Sequence, residues 1–146
     1  GSASPDPGDP LIQQRQYMLD TNMASYIIKG THPNVSSRLT QVPMDQLLIS
    51  AVTEGELIYG LERKPNATAL RRLVESFLQI VTVLPWDSVV ARVYGTVRAN
   101  LETQGTPMGN LDTMIGAHSL AVGAVVVTHD KAFRHIFGLQ LEDWTV

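Results

Sequence analysis

The sequence contains no cysteine among its 146 residues. This absence excludes disulfide bonds, zinc–thiolate sites and a cysteine nucleophile, and it favours a cytosolic protein. Although 44% of the residues are apolar, no run approaches the roughly 20 apolar residues that a transmembrane helix needs. The glycine-rich phosphate-binding loops, the Gly-x-Ser-x-Gly motif and the His-Glu-x-x-His motif are absent as well. These absences exclude several common enzyme classes and the membrane-spanning proteins.

The first ten residues differ in composition from the rest, since they consist mainly of Pro, Gly, Ser and Asp. We interpret residues 1–10 as a cleavage scar and linker, and residues 11–146 as one domain. Asp6 and Asp9 lie in this segment, which leaves 12 acidic residues against 11 basic ones. This near-neutral balance does not by itself indicate a nucleic-acid partner.

Short apolar runs alternate with amphipathic stretches along the domain. The runs predict strands at 17–19, 46–49, 81–84 and 124–127, with an edge strand at 139–141. Ser50, Asp87 and Asn110 are the expected N-caps of the following helices, and Gly30 and Gly123 are the expected helix ends. This alternation predicts a three-layer α/β/α domain with a mostly parallel sheet of four or five strands.

Four acidic residues stand at or just after the predicted strand ends: Asp20, Glu56, Asp112 and Asp130. The carboxyl ends of the strands form the ligand-binding crevice of an open α/β sheet. Acids that converge there repel one another, and a hard divalent cation relieves that repulsion. The pattern therefore predicts a Mg²⁺ or Mn²⁺ site.

Each of these acids also has a structural interpretation. Asp20 is placed to be a helix N-cap, although Thr21 and Asn22 are equally suited and would leave Asp20 free to bind metal. Asp112, in the first turn of its helix, could serve only to stabilise the helix dipole. Asp130 could be a turn or cap residue.

Glu56 has a competitor in Glu54, because residues two apart cannot share one face of a helix. Thr53 and Glu56 also match a capping box. We favour Glu56 for the metal, because Val52 and Tyr59 place it on the packed face of the predicted helix.

The histidines give weaker signals. His118 lies one turn after Met114 on an apolar helix face, which is typical of a hydrogen-bonded core histidine. His129 adjoins Asp130 and could assist at the site.

Four segments of the chain resemble the PIN-domain family and, more narrowly, its VapC toxins. The segments are Leu-Asp-Thr-Asn at 19–22, Ser-Ala-Val-Thr-Glu-Gly-Glu-Leu-Ile-Tyr-Gly at 50–60, Gly-Thr-Pro-Met-Gly-Asn-Leu-Asp-Thr-Met-Ile-Gly-Ala-His at 105–118, and Val-Thr-His-Asp at 127–130. The resemblance implies a Mg²⁺-dependent endoribonuclease in which Mn²⁺ can substitute. It also implies a VapB antitoxin as inhibitor and a homodimer.

Within this resemblance, Asp20, Glu56, Asp112 and Asp130 correspond to the family's acidic residues. Thr128 or Asn22 is then expected to hydrogen-bond the ligating carboxylates. The Gly-Thr-Pro-x-Gly loop resembles the enteric VapC subgroup that cuts initiator tRNA in the anticodon stem-loop. The expected contacts to the RNA backbone are basic residues on either side of Pro65, namely Arg63, Lys64, Arg71 and Arg72.

Two alternative classes of function are open. The first is aspartyl-phosphate chemistry, but a phosphatase of the haloacid dehalogenase type needs Asp-x-Asp after the first strand, where this chain has Asn22 at the second position. A receiver domain with Asp20, Thr128 and Lys131 needs a phosphorylatable Asp after a middle strand, which Leu-Pro-Trp at 84–86 does not supply. A non-catalytic module that acts with its antitoxin as a DNA-bound repressor is the alternative from another class. Because all four acids are intact, we favour the enzyme.

Overall fold

The computed structural model describes residues 15–146, and the predicted linker at residues 1–10 lies outside the described residues. The helices are α1 (Thr21–Lys29), α2 (Pro33–Leu39), α3 (Ala51–Glu62), α4 (Thr68–Ile80), α5 (Ser88–Thr103) and α6 (Asn110–Val122). The strands are β1 (Tyr17–Leu19), β2 (Leu47–Ser50), β3 (Thr82–Leu84), β4 (Val125–Val127) and β5 (Gln140–Glu142). Two 3₁₀ turns, Met44–Gln46 and Lys131–His135, precede β2 and β5.

The strands form one sheet in the order β3-β2-β1-β4-β5, and every neighbouring pair is parallel. This confirms the predicted parallel sheet, which has five strands within residues 15–146. From β1 the chain builds outward to β2 and β3, and then crosses to the other side of β1 to form β4 and β5. The order therefore reverses between β1 and β4, and their carboxyl ends flank the crevice where such sheets bind ligands.

The sheet lies between two helical layers, because successive strand side chains point to opposite faces. Leu19 and Val127 belong to the core under α1, α3 and α4, whereas Met18 and Val126 belong to the core under α5 and α6. The three-layer α/β/α prediction is thus confirmed. None of the helices in residues 15–146 is long and apolar enough to cross a membrane.

Most of the predicted helix ends are confirmed. The side chains of Ser50 and Asp87 accept hydrogen bonds from the first turns of α3 and α5, and Gly30 and Gly123 end their helices in the left-handed conformation. The prediction for Asn110 is wrong: Asn110 is already helical, and Gly109 takes the extended cap conformation. The helix therefore begins one residue earlier than the side-chain preference indicated.

Gly116 lets two functional segments approach each other. It lies on α6 beside Phe133, which is part of the 3₁₀ turn after β4, and beside Ile136, which directly follows that turn. A Cβ atom at position 116 would collide with the Ile136 side chain. No pattern in the sequence indicated this contact. The missing side chain brings the turn that follows Asp130 onto the helix that carries Asp112.

Candidate active site

Asp20 directly follows β1 and is buried, with 4% of the residue exposed. One carboxylate oxygen accepts a 2.8 Å hydrogen bond from the backbone N–H of Met23, and the other accepts a 2.6 Å bond from the Thr128 hydroxyl. Asp20 is thus the N-cap of α1, and the alternative in which Thr21 or Asn22 caps the helix does not occur. A carboxylate has about four lone-pair positions, so these two bonds leave acceptor capacity for a ligand.

Thr128 connects Asp20 to Asp130. Its hydroxyl oxygen donates to Asp20 and accepts a 2.9 Å bond from the backbone N–H of Asp130. Asp130 in turn caps the following 3₁₀ turn, where its Oδ1 accepts a 2.9 Å bond from the N–H of Ala132. Thr128 thus forms a hydrogen bond with the Asp20 carboxylate, whereas Asn22 forms none with these acids in the described part of the chain. The supporting role of Thr128 at a metal site stays a prediction.

Asp112 is half-buried in the first turn of α6. Burial raises the pKa of its carboxyl above the ordinary value of 3.8, and the nearby Asp130 carboxylate raises it further. Burial also raises the pKa of Asp20. Hydrogen bonds from Thr128 and Met23 lower this pKa, whereas the negative charges of Asp112 and Asp130 raise it further. Three carboxyl groups from three separate segments therefore interact at the carboxyl edge of the sheet.

Asp20 and Asp130 open into a pocket of about 370 Å³, here called the acid pocket. It is lined by Asp20, Asn22, Tyr26, His129, Asp130 and Lys131. The sequence pointed to Lys131 only under the receiver-domain alternative, and it did not point to Tyr26 as a pocket residue. Their positions near Asp130 and Asp20 along the chain were the further signal.

Glu56 opens into a second cavity of about 410 Å³, here called the Glu56 groove, which runs between α1, α3 and α4. It is lined by Thr21, Asn22, Ser25, Ile28, Lys29, Glu56, Leu57, Gly60, Leu61, Arg63, Lys64, Leu70 and Val74. Asn22 borders both cavities, so the two are neighbours. Glu56 is half-buried and has no hydrogen-bond or ion-pair partner among residues 15–146. Thr53 and Glu56 do not form the capping box that their spacing matches, because Ser50 caps α3.

The acids are close, but the side chains as they lie do not form a closed metal cage. Within residues 15–146, no group of three His, Asp or Glu side chains is positioned to hold one metal ion. Asp112 and Asp130 lie near enough to Asp20 for their charges to raise its pKa, and Glu56 lies in the adjoining groove. The metal-binding role of all four remains a prediction.

Of the basic residues predicted to contact RNA, Arg63 and Lys64 line the Glu56 groove. The Arg63 guanidinium lies over the ring of Tyr59, 5.7 Å from its centroid. Arg71 forms a 3.7 Å ion pair with Glu62. Arg72 is exposed on α4 beside it.

His118 is a core residue, as predicted, but only half of its ring is hydrogen-bonded. Its Nδ1 lies 2.7 Å from the Ser50 hydroxyl oxygen, whereas its buried Nε2 has no partner within the described chain. The ring also packs against Trp86 in a T-shaped contact with 5.6 Å between centroids. Burial lowers the pKa of His118 below 6.5, an effect that Asp87 opposes.

Three comparisons with known proteins bear on this geometry. The family model of the PIN domain matches residues 17–138. The chain is 35% identical over 131 residues to the tRNA(fMet)-specific endonuclease VapC of Shigella flexneri, a match that covers 89% of this chain and 98% of that protein. It is 37% identical over 131 residues to ribonuclease VapC1 of Haemophilus influenzae, covering 88% of this chain and 98% of that protein. The crystal structure of DNA-bound VapBC from Salmonella typhimurium superposes with a TM-score of 0.83 at 36% identity, over 90% of this chain and 99% of that one.

Proposed function

The chain belongs to the PIN-domain family, and we propose that it is a VapC-type ribonuclease toxin that cuts tRNA at the acid pocket with the help of a divalent cation. The observation that carries this proposal is the interaction of Asp20, Asp112 and Asp130 at the point where the strand order reverses. If these three acids served only to cap or stabilise helix ends, they would have no need to lie close together in one crevice.

The donor chemistry of the acid pocket fits a hard cation. Carboxylate oxygens are the ligands that Mg²⁺ prefers, and the sequence offers no cysteine to select a softer metal. Asp20, Asp112 and Asp130 would hold Mg²⁺, with Mn²⁺ as a substitute, and Glu56 would contribute from the groove side. When bound, the ion supplies positive charge opposite the negative charge that develops on a phosphodiester during cleavage.

Hydrogen bonds within the chain hold the Asp20 carboxylate in one orientation. The N-terminus of α1 and the Thr128 hydroxyl hold both oxygens of Asp20, so its carboxylate has a fixed direction before any ligand arrives. Thr128 ties that direction to the backbone of Asp130. In the described residues His129 is the single histidine of the acid pocket. Because a pair of histidines is the usual means of activating the RNA 2′-hydroxyl, we propose attack by water, which leaves 5′-phosphate and 3′-hydroxyl ends.

We further propose that the substrate is tRNA, with initiator tRNA cut in the anticodon stem-loop as the first candidate, and that this cleavage inhibits translation in the cytoplasm. The name of the Shigella flexneri relative supports this substrate. Arg63, Lys64, Arg71 and Arg72 lie along and beside the Glu56 groove, where they can contact the phosphates of an RNA that reaches the acids.

The same surface suits an antitoxin. Segments 23–41 and 51–79 line or flank the Glu56 groove, in which apolar residues such as Ile28 and Leu70 alternate with charged ones. We propose that a VapB peptide occupies this groove and that a basic side chain of VapB neutralises the acids in place of the metal. Solved VapBC complexes with this fold support that partner. We also expect a homodimer that forms a larger assembly with VapB.

Mapping the ends of cleaved tRNA tests the proposed chemistry. The isolated chain, incubated with total bacterial tRNA and Mg²⁺, is expected to give discrete fragments with 5′-phosphate and 3′-hydroxyl ends. EDTA or the Asp20→Asn substitution should abolish these fragments, and added VapB should suppress them. Cutting that persists in EDTA, or 2′,3′-cyclic phosphate ends, would contradict the proposal.

A further inference from the structure

The 3₁₀ turn that follows β4 carries exposed side chains that the proposed function does not use. Lys131 and Arg134 are exposed, and Phe137 just beyond the turn is 89% exposed, whereas Phe133 and Ile136 are buried. A 3₁₀ helix has three residues per turn, so side chains three positions apart lie one above the other. Lys131 and Arg134 therefore share the outer side of the turn, and the pattern of exposure continues to Phe137. These three residues are here called the turn row.

The turn row joins two cavities. Lys131 lines the acid pocket, where the turn begins. Phe137, at the other end, lines a cavity of about 370 Å³ whose walls come from α5, α6 and the end of the turn, here called the α5 cavity. The buried side chains of the turn belong to the core under α5 and α6, and Gly116 lets the turn approach α6 closely. The turn row therefore leads from the acids to the α5 cavity on a firmly packed segment.

The α5 cavity combines an apolar interior with a polar rim. Val97 and Leu101 are among its buried lining residues, and Arg92 and Asn100 are among its exposed ones. None of its lining residues in the described chain is acidic. The exposed ring of Phe137 extends this apolar surface outward. An exposed apolar patch with a polar rim is typical of an interaction site.

The charge of this surface indicates the kind of partner. The side chains of Arg92, Lys131 and Arg134 have no acidic partner among residues 15–146, whereas four other arginines of the described chain form ion pairs. Residues 131–141 contain no acid. The surface is therefore positively charged and suits an anionic partner. A second copy of the chain would bring the same cations face to face across a two-fold axis, which disfavours it.

An RNA strand that is cut at the acid pocket extends from the cut phosphate in two directions. Arg63 and Lys64 of the Glu56 groove lie with α3 and α4 on one face of the sheet. The turn row lies on the other face, because the buried side chains of the turn belong to the core under α5 and α6. Lys131 and Arg134 can each bind a backbone phosphate, and an exposed aromatic ring can stack on an unpaired base. The turn row thus supplies contacts for the second direction.

We propose that the turn row is a second RNA-binding surface. Lys131 and Arg134 hold backbone phosphates on one side of the cut, and Phe137 stacks on an unpaired base at the edge of the α5 cavity. This inference rests on the proposed ribonuclease function and deepens it, because it gives the substrate a path on both sides of the acids. It also favours cleavage in a single-stranded loop, whose bases are free to stack on protein side chains.

The salt dependence of binding tests the two cations. The probe is fluorescein-labelled total bacterial tRNA, and its fluorescence anisotropy is measured with the full-length Asp20→Asn protein as the parent, so that binding occurs without cutting. Lys131→Gln and Arg134→Gln should each lower the slope of log affinity against log salt by about 1, the value for one phosphate contact. Arg98→Gln, whose guanidinium is already paired with Glu102, is the matched control and should keep the parent's slope. Unchanged slopes in both test variants would overturn the proposal.

Substitutions at Phe137 test the stacking. Phe137→Ala should weaken binding by at least about fivefold, the value of one base stacked on an aromatic ring, without changing the salt slope. Phe137→Leu keeps the apolar character and should lose as much, whereas Phe137→Tyr keeps the ring and should bind as the parent does. Ile80→Ala, which removes another exposed apolar side chain at the end of α4, is the control. Full affinity in Phe137→Leu would show apolar packing instead of stacking, and the proposal would be wrong.

Other partners of the α5 cavity would give other results. If it received a second copy of the chain, Phe137→Ala would turn a dimer into a monomer in light scattering and leave the affinity for tRNA unchanged. If it received the antitoxin, Phe137→Ala in the otherwise wild-type chain would escape inhibition by VapB, again with unchanged affinity. Either result would overturn this inference and leave the proposed function standing. A wild-type chain that neither binds nor cuts tRNA would contradict the proposed function itself, and this inference with it.

Discussion

The acid pocket and the Glu56 groove are neighbours that differ in how their carboxylates are held. In the acid pocket, both oxygens of Asp20 accept short hydrogen bonds, and Asp130 caps its own turn. In the groove, Glu56 has no such partner within the described chain, and the residues beside it include the long, exposed side chains of Arg63 and Lys64.

This difference suits the acid pocket to catalysis and the Glu56 groove to binding. A site that positions a cation and a reacting phosphate needs carboxylates whose directions are set in advance, because reorganisation during the reaction costs rate. A surface that receives a flexible partner, such as an RNA backbone or an antitoxin peptide, needs side chains that can adapt. We therefore expect substitutions in the acid pocket to affect chemistry and those in the groove to affect binding.

The largest effect is expected for Asp20→Asn. Asn is as good an N-cap as Asp, so α1 should remain, while the lost negative charge should reduce the cleavage rate by about 100-fold or more. Cleavage of tRNA under single-turnover conditions, with circular dichroism as the check on folding, measures this. A variant with more than a tenth of wild-type activity would show that Asp20 acts as a cap alone.

Thr128→Val should be the next most harmful change. Valine has nearly the same shape, but it removes the donor to Asp20 and the acceptor for the Asp130 N–H. Loss of such a supporting contact typically reduces metal affinity or activity by about 10- to 100-fold. Thr128→Ser keeps the hydroxyl and should retain most activity. Equal activity of the Val and Ser variants would refute the supporting role.

Glu56→Gln should reduce cleavage by about tenfold. The effect should be smaller than that of Asp20→Asn, because the Glu56 carboxylate is not fixed in advance. Glu54→Gln, two residues away on another face of α3, is the matched control and should stay near wild type. If Glu54→Gln were the more harmful substitution, the choice between the two glutamates would be reversed.

Arg63→Gln and Lys64→Gln should weaken binding without changing the chemical step. Each is expected to lower the slope of log affinity against log salt by about 1, as measured by fluorescence anisotropy with the cleavage-deficient Asp20→Asn protein and tRNA. Arg98→Gln, on α5 and paired with Glu102, serves as the control. Unchanged slopes for both groove variants would place the RNA elsewhere.

The smallest effect concerns stability in the absence of metal. Because the folded-state pKa values of Asp20 and Asp112 are raised above 3.8, their charged forms destabilise the folded state at neutral pH. This destabilisation should disappear as the pH falls through the folded pKa values and the carboxyls take up protons. Urea unfolding should show Asp20→Asn at least as stable as wild type at pH 7, with the difference narrowing toward acid. A difference that widens toward acid would contradict the shifts.

The layers and the parallel sheet followed from the sequence because burial leaves a periodic signal. Strands such as β4 are continuous apolar runs, and the helices between them carry apolar faces. The sequence therefore predicted which segments are strands and which are helices, and the structure differs only at the ends of these elements. The position of Asp20 and Asp130 at the carboxyl edge of the sheet could be predicted in the same way. Asp20 directly follows the buried strand β1, and Asp130 lies shortly after the buried strand β4.

The details that the sequence did not predict depend on contacts between distant segments. The Asp20 carboxylate that caps α1 is also held by Thr128, which lies 108 residues away along the chain. The hydrogen bond between His129 and Asp143 required the knowledge that β5 lies beside β4. Likewise, the packing at Gly116 and the position of His118 Nε2, which has no partner within residues 15–146, arise from side chains that meet only in the folded structure.

Mn²⁺ titration followed by nuclear magnetic resonance tests the central claim most directly, because the paramagnetic ion broadens the amide signals nearest to it. The account predicts that the amides of Thr21, Thr113 and His129 lose intensity first, and that Asp20→Asn abolishes this pattern. Excess Mg²⁺ should restore the signals by competition. Broadening that centres on Gly60 and Lys64 in the Glu56 groove, or that spreads evenly over the surface, would contradict a cation site at the acid pocket.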